Sequence, residues 1–338
     1  MVNNKQYCFD ALDRSYYSLI KKEIHALAAG AGFAGQRLAE VDLVVAEILS
    51  NLGKYTRGGQ LLVKLVEKDA LPGLEIISVD QGPGMSDVPK MQSDGYSSKN
   101  TLGHGLGSIK RLSDQFHIYS QNGWGTILLS RIFKEHLPAV SGPQLYDIHS
   151  TVCPKPGETH CGDGFYYKVT KDYLKVMLGD GLGHGPEAEI AVEAAINAFK
   201  ICPENSPVEM IRFMDRAVKK TRGLVASVGV FDFKEQLWRL CGVGNISVRM
   251  HEGIRVKNHL AYNGIIGLNI PKTMNDQTIP YERNQYLVMC SDGIKSKWDV
   301  TKWPGIFRCD LSVLTAAVFK DFARGTDDLS VAVCKVNP

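Results

Sequence analysis

No apolar run in this 338-residue chain approaches the ~20 residues that a membrane-spanning helix needs. The N-terminal stretch MVNNKQYCFDALDRSYY has no apolar core of the signal-peptide kind. Net charge is small, +3, and the basic residues gather in nothing longer than pairs such as Lys21-Lys22 and Lys219-Lys220. A nucleic-acid backbone calls for a broader cationic stripe, so nucleic acid is a poor candidate for the main partner. Eight cysteines are present, yet none forms a C-x-x-C pair. A Cys/His zinc site therefore lacks its spacing. Scattered thiols in a chain of this size fit reduced, mostly buried cysteines and a cytoplasmic location. What is there is a soluble, globular composition, 44% hydrophobic and 22% charged, long enough for two domains that each bury a core.

The second half turns on Leu178–Glu189, LGDGLGHGPEAE. It ends a predicted strand, Tyr173–Leu178, and Pro186 opens a predicted helix. Its acid, Asp180, sits in a glycine-rich turn. A carboxylate at a strand end, with Gly181 letting a backbone carbonyl come close, suits a hard divalent cation. A phosphate cradle also uses glycines, but a carboxylate there would repel the phosphate. Three more aspartates recur at strand ends or turns: Asp163 in CGDGF, Asp292 in SDG after the predicted strand Tyr286–Cys290, and Asp327 in GTDD before the predicted strand Leu329–Cys334. Singly, each reads as a turn aspartate; four in one half of a chain point to a metal cluster. Carboxylate and water ligands favour Mg²⁺ or Mn²⁺ over zinc. Two such ions sharing a carboxylate bind a phosphate and turn a bridging water into the nucleophile. Cys161 lacks the phosphate-loop pattern of a cysteine phosphatase. His184 reads either as an acid near a leaving group or as a loop residue fixing the turn against the helix.

The first half carries a different set. Asp13 caps a predicted helix with Tyr17, Ile20, Ile24 and Leu27 at helical spacing, and His25 reads as a surface residue of it. A second helix runs from about Gln36 to Tyr55, and Glu47 and Asn51, four apart, project from one side of it. Such a pair can divide the work: Asn51 holds Mg²⁺ and Glu47 polarises a hydroxyl or water. The strands Leu61–Val66 and Leu74–Val79 follow, and the second empties into Asp80-Gln81-Gly82-Pro83-Gly84. A strand-end Asp before two glycines can accept from an adenine amino group. A polar lid, Ser93–Leu102, leads to Gly103-His104-Gly105-Leu106-Gly107 and a predicted helix Ser108–Asp114. Backbone amides of a glycine loop at a helix start suit a triphosphate.

In the order E-x-x-x-N, D-x-G-x-G, G-x-G-x-G, the first set resembles the ATP-binding domain shared by gyrase, the chaperone Hsp-ninety, histidine kinases and MutL (GHKL, or HATPase). The likeness is nearest to the RsbT-like anti-sigma and stressosome-switch serine kinases, carried also by Asn51 to Tyr55, DQGPG and Arg111-Leu112-Ser113-Asp114. By that resemblance Asn51 binds Mg²⁺, Glu47 is the base, Asp80 with Gly82 and Gly84 reads adenine, and Gly103, Gly105 and Gly107 carry the phosphates of Mg-ATP. The second set, G-D, D-G-x-G-H-G, S-D-G and D-D in order, resembles metal-dependent (PPM-type) protein phosphatases of the SpoIIE branch, and most of all the compact RsbX-like ones. That resemblance makes Asp180 the bridging ligand, Gly181 a carbonyl donor, and Asp163, Asp292 and Asp327 the rest of a two-metal Mn²⁺ or Mg²⁺ site. Relatives with G-G-D-x-Y-D have a second early acid where this chain has Tyr166. Asn245, in GVGN, resembles a family turn and reads as structural.

The expected fold is therefore α/β (α+β): a GHKL-type α/β sandwich over residues 1–134, a linker over 135–142, and a PPM-type αββα sandwich over 143–338. The expected function is a bifunctional partner-switching regulator. It would phosphorylate, and by metal-activated water dephosphorylate, a small STAS-domain partner of the anti-anti-sigma or stressosome type. The competing reading keeps the first domain as an ATP- and partner-binding module without phosphate transfer; a histidine-kinase-like output through His25 is a more distant one.

Overall fold

The computed structural model describes residues 6–68, 70–88, 105–137, 144–253 and 255–338. Gly103, the lid Ser93–Leu102 and residues 138–142 of the expected linker lie outside them. The chain divides into two compact units. One holds Met1–Ser141 with Val300–Lys320, the other Gly142–Asp299 with Asp321–Pro338.

In the first unit, β1 (Tyr7–Asp10), α1 (Tyr17–Gly30), α2 (Gly35–Tyr55), β2 (Gly59–Lys68), β3 (Leu71–Asp80), α3 (Gly105–Leu112), β4 (Gln115–Gln121) and β5 (Gly125–Phe133) follow in order. The Asp13 carboxylate accepts from the Ser15 N–H at 2.8 Å, capping a single 3₁₀ turn that runs into α1. The strands form an antiparallel sheet in the order β1-β2-β3-β5-β4. Period-2 alternation gives the sheet two faces. On one, Leu61, Val63, Leu74, Ile76, Leu128 and Ile132 pack against Ile20 and Ile24 of α1, Val41, Val45 and Ile48 of α2, and Ile109 of α3. α2 carries Glu47 and Asn51 on this helical side of the sheet, and β3 ends at Asp80.

The second unit is a sandwich. β6 (Tyr146–Cys153), β7 (Asp163–Val169), β8 (Tyr173–Gly181), α4 (Pro186–Ile201), α5 (Pro207–Val218), β9 (Leu224–Asp232), β10 (Leu237–Val243), β11 (Ser247–Glu252), β12 (Arg255–His259), β13 (Gln277–Pro280), β14 (Gln285–Cys290) and β15 (Leu329–Val336) build it. Two five-stranded sheets, β13-β10-β9-β8-β7 and β12-β11-β14-β15-β6, face each other. Phe165, Leu178, Phe231 and Trp238 from one meet Val248, Leu287, Met289 and Cys334 from the other. α4 and α5 cover the outer face of the first sheet through Val192, Phe199, Ile211 and Met214.

A final helix, α6 (Leu311–Phe322), has its residues up to Lys320 in the first unit. There the segment meets the second face of the sheet. Lys64, Glu75 and Arg131 stand side by side on three neighbouring strands of that face, paired in register. Arg131 donates to both Asp310 oxygens, at 2.6 and 2.8 Å, and to Glu75 at 2.7 Å, while the Ser312 hydroxyl donates to Glu75 at 3.1 Å. Burial by itself would make Arg131 easier to deprotonate; Glu75 and Asp310 outweigh it and hold the guanidinium charged.

Candidate active sites

In the first unit, the structure brings together Glu47, Asn51 and Gly105 of the expected nucleotide residues. Glu47 and Asn51 are one turn apart on α2. A Cβ added to Gly105 would stand 3.0 Å from Glu47 Oε2 and 3.4 Å from Asn51 Oδ1, so the start of α3 meets both. The helix begins at Gly105, three residues before the expected start, because the two glycines without side chains let it close against α2; Gly107 is buried inside it. The Asn51 amide nitrogen is buried with no hydrogen-bond partner. Asp80, the last residue of β3, accepts from the Gly82 N–H at 2.7 Å and the Thr126 N–H at 3.3 Å. Burial raises its pKa, and those two amides work against the rise. Gly84 has φ +72°, and a side chain there would run into the Gln121 carbonyl. The turn after Asp80 is therefore closed by glycine from both directions. Near it a cavity of about 570 Å³ is lined by Lys54, Tyr55, Arg57, Gln81, Gly82 and Lys320, among others.

In the second unit, Asp163 and Asp180 are direct cross-strand partners on β7 and β8. Asp292 follows β14 and Asp327 precedes β15. All four interact electrostatically, with Asp328 as a fifth. Burial pushes the Asp163 and Asp180 carboxyls above the usual range, and the neighbouring acids push Asp180 the same way. Asp163 Oδ1 is buried without a hydrogen-bond partner. Gly181 packs so closely on the Ala188 backbone that a Cβ would collide with it. No three of these side chains converge into a finished ligand group among the described residues. The donor set comprises four or five carboxylates, one with an orphaned buried oxygen. That set fits a hard divalent cation, which would neutralise the repulsion.

A family model described as the histidine kinase-like ATPase domain matches residues 10–131, and one described as stage II sporulation protein E (SpoIIE) matches residues 170–336. The serine/threonine-protein kinase RsbT of Bacillus subtilis (strain 168) is 38% identical over 95 residues, 28% of this chain and 71% of the relative. The chain carries an N-terminal histidine kinase-like ATPase domain and a C-terminal SpoIIE-type phosphatase domain. The phosphoserine phosphatase RsbX of the same bacterium is 26% identical over 141 residues, 41% of this chain and 70% of the relative. Among solved structures, one titled for the bacterial stressosome matches with a TM-score of 0.54 at 28% identity, over 57% of this chain and 100% of that one. RsbX in complex with magnesium shares the fold at a TM-score of 0.51 and 20% identity, over 58% of this chain and 98% of that one. A kinase-like domain fused to a SpoIIE-type phosphatase domain is the composition of a partner-switching regulator.

Several residues of the phosphatase domain escape a motif reading. The Ser291 hydroxyl donates to Asp163 Oδ2 at 2.6 Å and accepts from the Ser330 N–H at 2.9 Å, joining three strands behind the acid. Asn245 donates to Asp292 Oδ2 at 2.9 Å, so its turn reaches the site. Asp328 accepts from the N–H groups of Lys155 and Gly162, at 2.7 and 2.8 Å, and so ties the loop before β7 to β15. Tyr166, where relatives have an acid, points to the helix layer and packs edge-on against Phe199, 6.1 Å between ring centres. That position offers no ligand. In the ATPase domain, Asp114 of the R-L-x-D segment accepts from Arg37 and from the Phe133 N–H, a structural role. His25 is half-exposed and lies 3.0 Å from Asp42, bridging α1 to α2.

Proposed function

We propose that the phosphatase domain hydrolyses phosphoserine or phosphothreonine on a small STAS-type partner and that the ATPase domain phosphorylates the same class of partner, in the cytoplasm. The observation that carries the reading is the pairing of Asp163 and Asp180 across two strands, within electrostatic reach of Asp292 and Asp327, with a buried Asp163 oxygen lacking any partner. Asp163, Asp180, Asp292, Asp327 and the Gly181 carbonyl would hold two Mn²⁺ or Mg²⁺ ions. Bound there, the ions supply a water acidic enough to attack phosphorus near neutral pH. The chain's own part is orientation: Ser291 fixes one oxygen of Asp163 and leaves the other for a ligand, and Asn245 does the same for Asp292.

In the ATPase domain, Asn51 would hold Mg²⁺ and Asp80 would take the adenine amino group, with Gly82 and Gly84 letting the ring come close. Gly105 and Gly107, with Gly103, would bring backbone amides to the phosphates. Glu47, which lies beside Asn51 and Gly105, would take the proton of an incoming hydroxyl. Incubating wild type and Glu47→Gln with labelled ATP and candidate STAS proteins tests the transfer. Label moved by the wild type and lost in the variant supports the base assignment. Transfer by neither reduces the domain to a nucleotide- and partner-binding module.

A further inference from the structure

Four basic side chains border the loop between Asp180 and Pro186 and the first turn of α4: Lys155, His160, His184 and Arg222. Three of them face a carboxylate. His160 pairs with Glu189, Arg222 with Glu187, and His184 Nδ1 lies 2.6 Å from Glu158 Oε1. Lys155 is the exception. Its ammonium lies 3.1 Å from His184 Nε2, and no carboxylate pairs with it among the described residues.

One tautomer of His184 fits both contacts. Glu158 accepts the Nδ1–H of His184, so Nε2 keeps its lone pair and accepts from Lys155. One of three ammonium N–H groups is used, and two are left. The main chain of the same lysine is anchored at the acid cluster, its N–H donating to Asp328 Oδ1 at 2.7 Å. Glu158 itself lies within electrostatic reach of Asp328. The oriented lysine is thus fastened beside the carboxylates, and of these four basic groups it is the one that no carboxylate contacts directly among the described residues.

An arriving phosphomonoester is a dianion, and Glu158, Glu187 and Glu189 at the rim repel it. An oriented ammonium with two unused N–H groups offers that phosphate a charge-assisted donor. The geometry points to Lys155, oriented by the Glu158–His184 pair, as the group that binds the phosphate of the phosphoserine or phosphothreonine substrate. The assignment rests on the phosphatase reading above. It also gives His184 a positioning role, in place of an acid at the leaving group.

The test compares wild type, Lys155→Ala and Lys155→Arg in the full chain, using a phosphoserine peptide, Mn²⁺ and inorganic phosphate as competitor. The backbone N–H to Asp328 survives both changes, so folding and the acid cluster are preserved. Lys155→Ala should raise KM and the phosphate inhibition constant together, by roughly tenfold, as loss of one charge-assisted contact does. Turnover should stay within about twofold, and Mn²⁺ affinity by calorimetry should not move. Lys155→Arg should recover most of the loss. Unchanged KM and phosphate inhibition in Lys155→Ala overturn the assignment, and so does a loss confined to Mn²⁺ affinity, which would make Lys155 merely a prop for Asp328. A wild type without Mn²⁺-dependent hydrolysis fails at the earlier step: it removes the phosphatase reading and this inference with it.

Discussion

At the scale of single residues, the phosphatase domain stores electrostatic repulsion. Asp163 and Asp180 are neighbours across two strands, both shifted upward by burial first, with further acids around them. The folded state without metal therefore binds more protons than the unfolded chain. Stability must fall as pH rises from the unfolded carboxylate value, about 4, through the raised folded values. We expect the melting temperature in EDTA to drop between pH 5 and pH 8, and saturating Mn²⁺ to flatten the slope. Asp180→Asn should cut Mn²⁺-dependent hydrolysis by roughly 100-fold or more while raising the EDTA melting temperature at pH 8; a variant that is both active and destabilised would contradict the assignment. The acids themselves were legible in the sequence, since each stands next to a glycine or in a D-D pair at the end of an apolar run. Their supports were not. Ser291 and Asn245 are ordinary turn residues until the strands bring them to Asp163 and Asp292 from 128 and 47 residues away. Replacing either by Ala is expected to weaken Mn²⁺ binding by about 10–100-fold, the usual cost of losing a ligand's hydrogen-bond partner, measurable by calorimetry with folding intact.

At the scale of elements, periodicity found the long helices and the buried strands, where an apolar face repeats for several turns or residues. It passed over β12 and β13, because both are short and mostly exposed, with polar runs such as RVKNH. The glycine loop hid the true start of α3 for another reason: glycine has low helix propensity, and only the packing of Gly105 against Glu47 and Asn51 makes helix the favoured state there. The row Lys64–Glu75–Arg131 is the least legible feature. Each charge interrupts an apolar strand and reads as an outward-facing residue, yet Glu75 is fully buried. Arg131 and, from 237 residues later in the chain, the Ser312 hydroxyl donate to it, and Asp310 holds the far side of Arg131. Arg131→Met should cost about 3–5 kcal/mol in urea unfolding of the ATPase unit, because it leaves a buried carboxylate without its main partner. Adding Glu75→Gln should return part of that loss; a fully additive double variant would show that the two charges do not interact.

At the scale of the whole molecule, the segment Val300–Lys320 sets a limit on how the chain can be cut. In sequence it lies between Asp292 and Asp327, inside the match to the phosphatase family. In structure it belongs to the ATPase unit. The sheet face that meets Asp310 and Ser312 also holds Leu62, Ile77, Ile127 and Leu129, all fully buried. Uncovering those four side chains would cost on the order of 6–12 kcal/mol at about 1.5–3 kcal/mol each. That is as large as the whole stability of an ordinary domain, about 5–15 kcal/mol. A fragment ending at Ser141 would in addition leave Glu75 and Arg131 without Asp310 and Ser312. We therefore expect residues 1–141 expressed alone to bind a hydrophobic dye and to lack a cooperative urea transition. The same fragment with 300–320 appended through a flexible linker should regain the transition and lose the dye binding. A cooperative, dye-free fragment 1–141 would mean that the sheet face tolerates water, and that the segment is held by the ATPase unit without being required by it.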